Sequence, residues 1–187
     1  MRFDRFTIKS REALEAAKRL AEEKRHPEIG GAHLLLALLG QSEGIVVPLL
    51  KKLGAEPAAI QRDAEEALRK VPEVSGARAG ENLARELADA LEKAFSEAER
   101  LKDDYVSTEH LLLALCGEKA APGGESAGEI LRRNGVTAEK VYQALSELRG
   151  GQRVSDENPE EKFQALKKYT RDITALARQG KLDPVIG

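Results

Sequence analysis

One six-residue segment, His-Leu-Leu-Leu-Ala-Leu, occurs twice in this chain of 187 residues, at residues 33–38 and again at residues 110–115. The two segments lie 77 positions apart, and at that offset residues 12–40 match residues 89–117 at 13 of 29 positions without a gap. So many identities at a single offset indicate an internal duplication. We therefore interpret the chain as two related copies of one unit.

The repeated segment places apolar side chains on every side of a helix. Five of its six residues are apolar, so a helix built from it has to be covered all round. Gly40 and Gly117 follow the two segments, and we expect them to end the helices in a left-handed conformation. The two segments are predicted to be the central helices of a helical domain. Two unrelated buried helices of similar composition are the alternative, which the matching flanks disfavour.

The sequence around each central segment also has the period of a helix. Thr7 is predicted to cap a helix that runs to about Lys24, and Pro57 suits the first turn of a helix over residues 58–70. In the second copy the apolar period restarts at Leu83, and Ser107 precedes the central helix as a cap. No segment alternates with the period of a strand. The predicted fold class is all-α, with two tandem four-helix repeats related by pseudo-two-fold symmetry and a C-terminal helix after a linker.

Composition divides the chain into a domain, a linker and a tail. Residues 71–82 are rich in Pro, Gly, Ser and Ala and separate copy one, residues 1–75, from copy two, residues 80–149. Residues 150–158 are polar and begin with two glycines, which favours a linker that lets the domain at residues 1–149 move. Asn158 and Pro159 then begin a further helix in the third part, residues 159–187.

Charge and hydropathy restrict the class of function. Lys and Arg number 30 against 32 Asp and Glu, so the net charge of −2 gives no basic footprint for nucleic acid or a membrane surface. No window approaches the roughly 18 apolar residues of a membrane span, and the first residues lack the apolar region of a signal peptide. These features favour a cytoplasmic location. Cys116 is the single cysteine, and its apolar surroundings favour structural burial.

The residues that usually carry catalysis or bind metals are not arranged for either. Residues 124–128 fit the pattern Gly-x-Ser-x-Gly of hydrolases, but a hydrolase also needs a preceding strand and a later histidine, and no histidine follows His110. His26, His33 and His110 lack the spacing of a metal-binding pair, and the chain has no Gly-rich phosphate loop. We therefore predict no catalytic residue, no metal ligand and no cofactor of its own. Its chemistry is that of a binding module.

The doubled copy resembles the Clp N-terminal domain, which stands at the front of the Clp unfoldase ATPases, and the resemblance covers residues 1–149. The start Met-Arg-Phe-Asp-Arg-Phe-Thr, the spacer at residues 71–76 and the linker at residues 149–154 look like the disaggregase branch of that family. Residues 165–174 and 179–187 resemble the opening of the first AAA+ module. A free-standing helical adaptor and the N-domain of a protease-coupled Clp unfoldase are the alternatives.

The resemblance implies a function and partners. In the family the domain is tethered above the pore of a hexameric AAA+ ring, engages unfolded or aggregated protein clients, and passes them to the ring. The parent would be an ATPase that uses ATP and Mg²⁺ and works with the DnaK system through other parts. Val185, Ile186 and Gly187 would lie against the adenine of ATP.

The resemblance also implies a client-binding site. Family recognition positions correspond to Thr7, Asp103 and Glu109, and we expect Leu91, Phe95 and His110 to supply neighbouring surface. Replacing Asp103 or Glu109 should then weaken binding while leaving the fold nearly intact. The alternative, compatible with the first, is that Thr7, Asp103 and Glu109 are helix caps. In that case the groove is expected on the copy-one face around Leu14 and Leu20.

Overall fold

The structure is a computed structural model that describes residues 2–76, 78–120, 122, 124–161 and 178. A 3₁₀ turn at Phe3–Arg5 precedes the helices of copy one, which are α1 (Ile8–Glu23), α2 (Gly31–Leu39), α3 (Val46–Lys52) and α4 (Pro57–Arg69). The helices of copy two are α5 (Arg85–Arg100), α6 (Thr108–Cys116), α7 (Ala127–Arg133) and α8 (Ala138–Arg149). The predicted fold class, all-α with four helices in each copy, is confirmed.

The duplication is visible in the helix boundaries. Helices α5 and α6 begin and end 77 residues after α1 and α2, whereas α7 begins and ends 81 residues after α3. The four additional residues of copy two therefore lie in the connection between α6 and α7.

Both central helices are buried. Every residue of α6 from Thr108 to Leu115 is buried, whereas α2 leaves Leu36, Ala37 and Leu39 half-buried. Helix α2 packs between α1 and α4, α6 packs against α5 and α7, and the two central helices contact each other. They form the middle of one continuous apolar core.

Local sequence signals set most helix ends. The hydroxyl of Thr7 accepts a hydrogen bond from the Ser10 amide at 3.2 Å, and Pro57 occupies the first turn of α4. The expectation for the glycines after the central helices is wrong. Gly40 has a φ of −81° and Gly117 a φ of −98°, because both helices end in a tight turn that remains right-handed.

Two short strands correct the expectation that the chain has none. Strand β1 (Glu28–Ile29) pairs in parallel with β2 (Asn82–Leu83), so that Ile29 lies opposite Leu83. An isolated bridge joins Phe6 to Val106. Phe6 and Leu83 are equivalent at the offset of 77, as are Ile29 and Val106, so the two pairings are the same contact with the copies exchanged. Pairs of two residues give no alternating pattern that sequence reading could detect.

The predicted C-terminal helix is described only at its start. Pro159 to Glu161 are helical, as the Asn-Pro start predicts. Most of the tail, including Val185, Ile186 and Gly187, lies outside the described residues. The boundaries of the domain, the linker and the AAA+ segment stay predictions.

Candidate functional site

The structure brings the four polar candidates together in the interior. Thr7, Glu109 and His110 are fully buried, and Asp103 is 5% exposed. Each lies where a helix begins or a loop turns: Thr7 caps α1, Asp103 follows α5, and Glu109 and His110 belong to the first turn of α6. Together with Arg149 and Glu160, described below, we refer to these residues as the polar cluster.

An oriented imidazole lies at the centre of the polar cluster. The backbone N–H of Ser107 donates to Nδ1 of His110 at 2.8 Å, so Nδ1 is an acceptor and the ring carries its proton on Nε2. That Nε2–H donates to Oδ2 of Asp103 at 2.7 Å. His110 thereby caps the amide of Ser107 and anchors the loop that precedes α6.

Arg149 is a member of the polar cluster that the sequence analysis missed. Its guanidinium donates to Oδ2 of Asp103 at 2.8 Å and also to Oε1 of Glu109, which ties the end of α8 to the start of α6. Burial is the largest single influence on Glu109 and would raise its pKa, but the charges of Arg149 and His110 and the hydrogen bonds from Arg149 and Ser107 together outweigh burial and lower it. Burial also opposes ionisation of Asp103, yet hydrogen bonds from His110, the Val154 amide and Arg149 hold its pKa below the usual value. Both carboxylates are therefore charged and paired in the interior.

The chain after α8 closes the polar cluster. The amide of Val154 donates to Oδ1 of Asp103 at 2.9 Å, and the amide of Asp104 donates to the carbonyl of Val154 at 2.8 Å. Further along, the hydroxyl of Thr7 lies 3.0 Å from Oε1 of Glu160. The described part of the linker is thus bound to the domain, whereas its composition favoured a freely moving segment. Glu160 could not be anticipated, because it looked like an ordinary residue of a helix start.

Burial changes what the polar candidates can do. In this arrangement Asp103 binds His110, Arg149 and the Val154 amide, and Glu109 binds Arg149. These buried side chains present no open surface to a client. The expectation that Asp103 or Glu109 could be replaced with the fold nearly intact is revised, since each substitution would leave buried polar partners unpaired.

An apolar groove lies beside the polar cluster, between the two copies. Its apolar side chains come from the start of the chain, from α1, from both strands and from α5: Phe3, Leu14, Ile29, Leu83 and Leu91. The groove has a volume of about 460 Å³ and is flanked by the charged residues Arg11, Glu15, Lys18 and Glu81. Leu91 was predicted from the sequence to lie near the client site. Leu14 lies on the copy-one face where the groove was expected if Thr7, Asp103 and Glu109 are helix caps.

Aromatic side chains connect the groove to the polar cluster. The ring of Phe6 packs 6.0 Å from that of Phe3 and 5.2 Å from that of Phe95, measured between centroids. The Arg5 guanidinium lies 5.6 Å from the centroid of Phe95. Phe95, also a candidate, is half-buried and supports Phe6, the residue that precedes Thr7.

The described residues offer no metal site, nucleophile or membrane span. In residues 2–76, 78–120, 122, 124–161 and 178, no group of three His, Cys, Asp or Glu side chains could hold a metal ion. The hydroxyl of Ser126 accepts from the Glu129 amide at 3.1 Å and so caps α7. Burial raises the pKa of the Cys116 thiol to about 12, which removes its nucleophilic form. No helix in the described part of the chain is long and apolar enough to cross a membrane.

Comparison with known proteins identifies the family. The profile of the Clp repeat (R) N-terminal domain matches residues 5–126, and the chain belongs to that family. The chaperone protein ClpB of Mycobacterium bovis is 41% identical over 181 residues, which are 97% of this chain and 21% of that protein. The chain therefore spans about a fifth of the length of the curated relatives it matches.

Solved structures of related domains share the fold. The Hsp104 N-terminal domain from Candida albicans superposes with a TM-score of 0.69 at 22% identity, over 83% of this chain and 98% of that one. A ClpV N-domain in complex with a VipB peptide superposes with a TM-score of 0.63 at 20% identity, over 83% of this chain and 91% of that one.

Proposed function

We propose that the chain is the client-binding N-terminal domain of a ClpB-type AAA+ disaggregase, which engages unfolded or aggregated protein and passes it to the pore of the ring. Membership of the Clp repeat N-terminal domain family and 41% identity to a ClpB chaperone support this parent. ATP hydrolysis, Mg²⁺ and the hexameric ring belong to the proposed parent. The part we describe contributes binding and no catalytic step.

The apolar groove is the proposed client site. The observation that carries this assignment is Phe3, which is 57% exposed and lies at the edge of a groove already lined by four other apolar side chains. An exposed aromatic ring beside an apolar channel suits apolar side chains of an extended polypeptide. Arg11, Glu15 and Lys18 on α1 and Glu81 before β2 also line the groove, and they would orient the polar backbone and charged residues of a client. The ClpV N-domain solved with a VipB peptide is a related fold that binds a peptide.

The polar candidates then affect the groove indirectly, by holding in place the helices that line it. Thr7 and Glu109 hold the starts of α1 and α6, and His110 and Asp103 hold the loop between α5 and α6. Leu91 lines the groove and Phe95 supports its edge through Phe6. In this proposal Thr7, Asp103, Glu109 and His110 affect client binding by fixing the helices that carry the groove, while Phe3 and Leu91 line it.

The test is the affinity for a chemically unfolded, fluorescently labelled model protein, measured by anisotropy. Phe3→Ser should weaken binding about ten- to a hundredfold, because withdrawing a Phe from an apolar contact costs roughly 1.5–3 kcal/mol and about 1.4 kcal/mol is a factor of ten. Ile8→Ser is the matched control. Ile8 is 38% exposed and does not line the groove, and with Phe3 it makes up the exposed large hydrophobic side chains of the described chain. Equal losses in both variants, or no loss in Phe3→Ser, would remove the groove from the proposal.

A further inference from the structure

The carboxyl group of Glu160 lies between the starts of two helices, in a binding position formed by Thr7 and Thr108 that we call the seat. Its Oε1 lies 3.0 Å from the hydroxyl of Thr7, which caps α1, and accepts from the amide of Thr108 at 3.3 Å, the first residue of α6. The hydroxyl of Thr108 lies 3.5 Å from the same oxygen. Glu160 is fully buried, although it comes from the chain beyond the repeat domain. A side chain that follows the linker therefore completes the capping of two helices in the domain.

The segment that carries Glu160 follows the surface of the domain before it reaches this seat. The amide of Ile8 donates to the carbonyl of Glu157 at 2.8 Å, and the Arg11 guanidinium pairs with the Glu157 carboxylate at 3.0 Å. Val154 is bound on both sides by Asp103 and Asp104, as described above. Residues 154–160 are thus docked at three places, and Glu160 is the last and most deeply buried of them.

The equivalent helix start in copy one, that of α2, is also capped by a buried carboxyl group. Gly31 is equivalent to Thr108 at the offset of 77, and its backbone amide is bound by the carboxyl group of Glu118, whose Oε2 also accepts from the amide of Ala127 at 2.7 Å. A Cβ atom on Gly31 would lie 2.1 Å from Oε2 of Glu118, so the carboxyl group takes the space of a side chain. Glu118 is fixed inside the domain between α6 and α7. The start of α6 in copy two is instead capped by Glu160, which comes from the chain beyond the domain.

A second buried carboxylate makes the Glu160 seat sensitive to charge. Oε2 of Glu160 and Oε2 of Glu109 are both buried and have no hydrogen-bond partner among the described residues. Burial and then the negative charge of Glu109 raise the pKa of Glu160 to about 7. Arg149 keeps Glu109 ionised, so the proton belongs on Glu160. The charged and titratable groups of the surrounding network are Glu109 and His110 on α6, Arg149 on α8, Asp103 before α6, Arg11 on α1, and Glu157 in the segment itself.

We propose that Glu160 is a reversible latch: as the neutral acid it holds residues 154–160 on the domain, and on losing its proton to solvent it leaves the seat and frees them. The sign follows from the two states. A free carboxyl group titrates near 4.3, well below the docked group, so docking is favoured at low pH and is lost as the pH rises through about 7. Release lengthens the tether between the domain and the residues that follow 161. The latch concerns the reach of the domain and does not depend on a client.

Backbone relaxation of the ¹⁵N-labelled full chain at pH 6.0 and 8.5 tests the latch, without any client. In the unsubstituted chain, the heteronuclear NOE of residues 154–160 should match that of the helices at pH 6.0 and fall clearly below it at pH 8.5. The amide shifts of Ile8 and Thr108 should change with the same midpoint. Glu160→Gln, which is neutral at every pH, should stay docked at both values, and Glu160→Ala should be mobile at both. Glu161→Gln, an exposed neighbour in the same segment, is the matched control and should behave like the unsubstituted chain.

Three results would overturn the latch. One is a segment of the unsubstituted chain that is equally rigid at both pH values. Another is a Glu160→Ala variant that stays docked. The third is a Glu160→Gln variant that is released at pH 8.5 like the unsubstituted chain, which would assign the release to another group. Because none of these measurements involves a client, they are independent of the groove experiment.

Discussion

The two copies use the same histidine for different purposes. At the offset of 77, His33 corresponds to His110 and His26 to Asp103. In copy one, Nε2 of His33 lies 2.8 Å from Nδ1 of His26, whereas in copy two Nε2 of His110 lies 2.7 Å from a carboxylate oxygen of Asp103. In both copies the backbone amide three residues earlier binds Nδ1 of the central histidine. The duplicated geometry is therefore retained while the partner has changed from a neutral ring to a charge.

Copy two also has buried charges, those of Arg149 and Glu109, at positions where copy one has apolar residues. Arg149 pairs with Asp103 and Glu109, but the residue 81 positions before Arg149 is Leu68, which is part of the apolar core. The position equivalent to Glu109 is Ala32, also buried. In copy one these positions therefore make apolar contacts, and the central histidine is paired with the neutral ring of His26. Copy two maintains a charged cluster that binds the linker through Asp103, which is a reason for the cluster to exist.

Removing Arg149 should have the largest effect and should have no counterpart in copy one. We expect Arg149→Ala to lower the free energy of unfolding by about 3–5 kcal/mol, because it leaves Asp103 and Glu109 buried with their positive partner gone. Urea denaturation followed by circular dichroism measures this.

The control is Lys52→Ala, which breaks the ion pair of Lys52 with Glu147 on the surface of the same helix α8. That pair is partly exposed and should contribute at most about 1 kcal/mol. The double variant Arg149→Met with Glu109→Gln should recover part of the loss, since it removes a buried charge together with its partner. Similar losses in Arg149→Ala and Lys52→Ala would show that the polar cluster is not a stabilising feature of copy two.

The central leucines should show how similar the copies are in their cores. Leu35 and Leu112 are equivalent and both fully buried, so Leu35→Ala and Leu112→Ala should each cost about 2–5 kcal/mol in urea unfolding. Lys93→Ala, at an exposed position of α5, should be nearly neutral. If neither leucine substitution changes stability, the central helices are not the core. If only one does, the two central helices contribute unequally to the core.

The comparison also shows which features sequence can predict. The repeat, the helix order, the cap at Thr7 and the first-turn Pro57 follow from local patterns of apolar spacing and helix-start residues, and they are confirmed. The charged partners of the candidate site depend on residues far along the chain. Arg149 lies 46 positions from Asp103, and Glu160 lies 153 positions from Thr7, so no window of sequence contains either pair. The offset of 77 could have drawn attention to position 103, since the equivalent position in copy one is a histidine, His26, and not a carboxylate.

Stability between pH 6 and 8 should also depend on Glu118, the buried carboxyl group that caps α2 in copy one. Burial raises the pKa of Glu118 to about 7, so the folded state retains a proton that the unfolded chain has lost, and stability falls as the pH rises through 7. From pH 6 to pH 8 this group alone accounts for a decrease of about 1 kcal/mol. Glu118→Gln should flatten the pH dependence of urea unfolding by that amount.

Glu125→Gln provides the comparison for Glu118, because Glu125 is a carboxylate that pairs with Arg133 at the surface. It should leave the slope between pH 6 and 8 unchanged. A Glu118→Gln variant whose stability falls with pH as steeply as that of the unsubstituted chain would contradict the assignment of this proton to Glu118.

The smallest effect on stability is expected for His26→Asp, which gives copy one the histidine partner of copy two. Burial, followed by the nearby His26 ring, lowers the pKa of His33 to about 4, so His33 should not titrate above pH 5 in the unsubstituted chain. A carboxylate at position 26 would favour the charged imidazole and should raise the pKa of His33 by more than one unit, as measured by NMR titration of the ring protons. At pH 7 the neutral ring can still donate from Nε2 to either partner, so stability should change by no more than about 1 kcal/mol. An unchanged His33 titration would mean that the equivalent geometry of the two copies does not carry equivalent electrostatics. A decrease of several kcal/mol in the free energy of unfolding would mean that copy one cannot bury a carboxylate without a residue equivalent to Arg149. Arg149 would then be what allows copy two to bury Asp103.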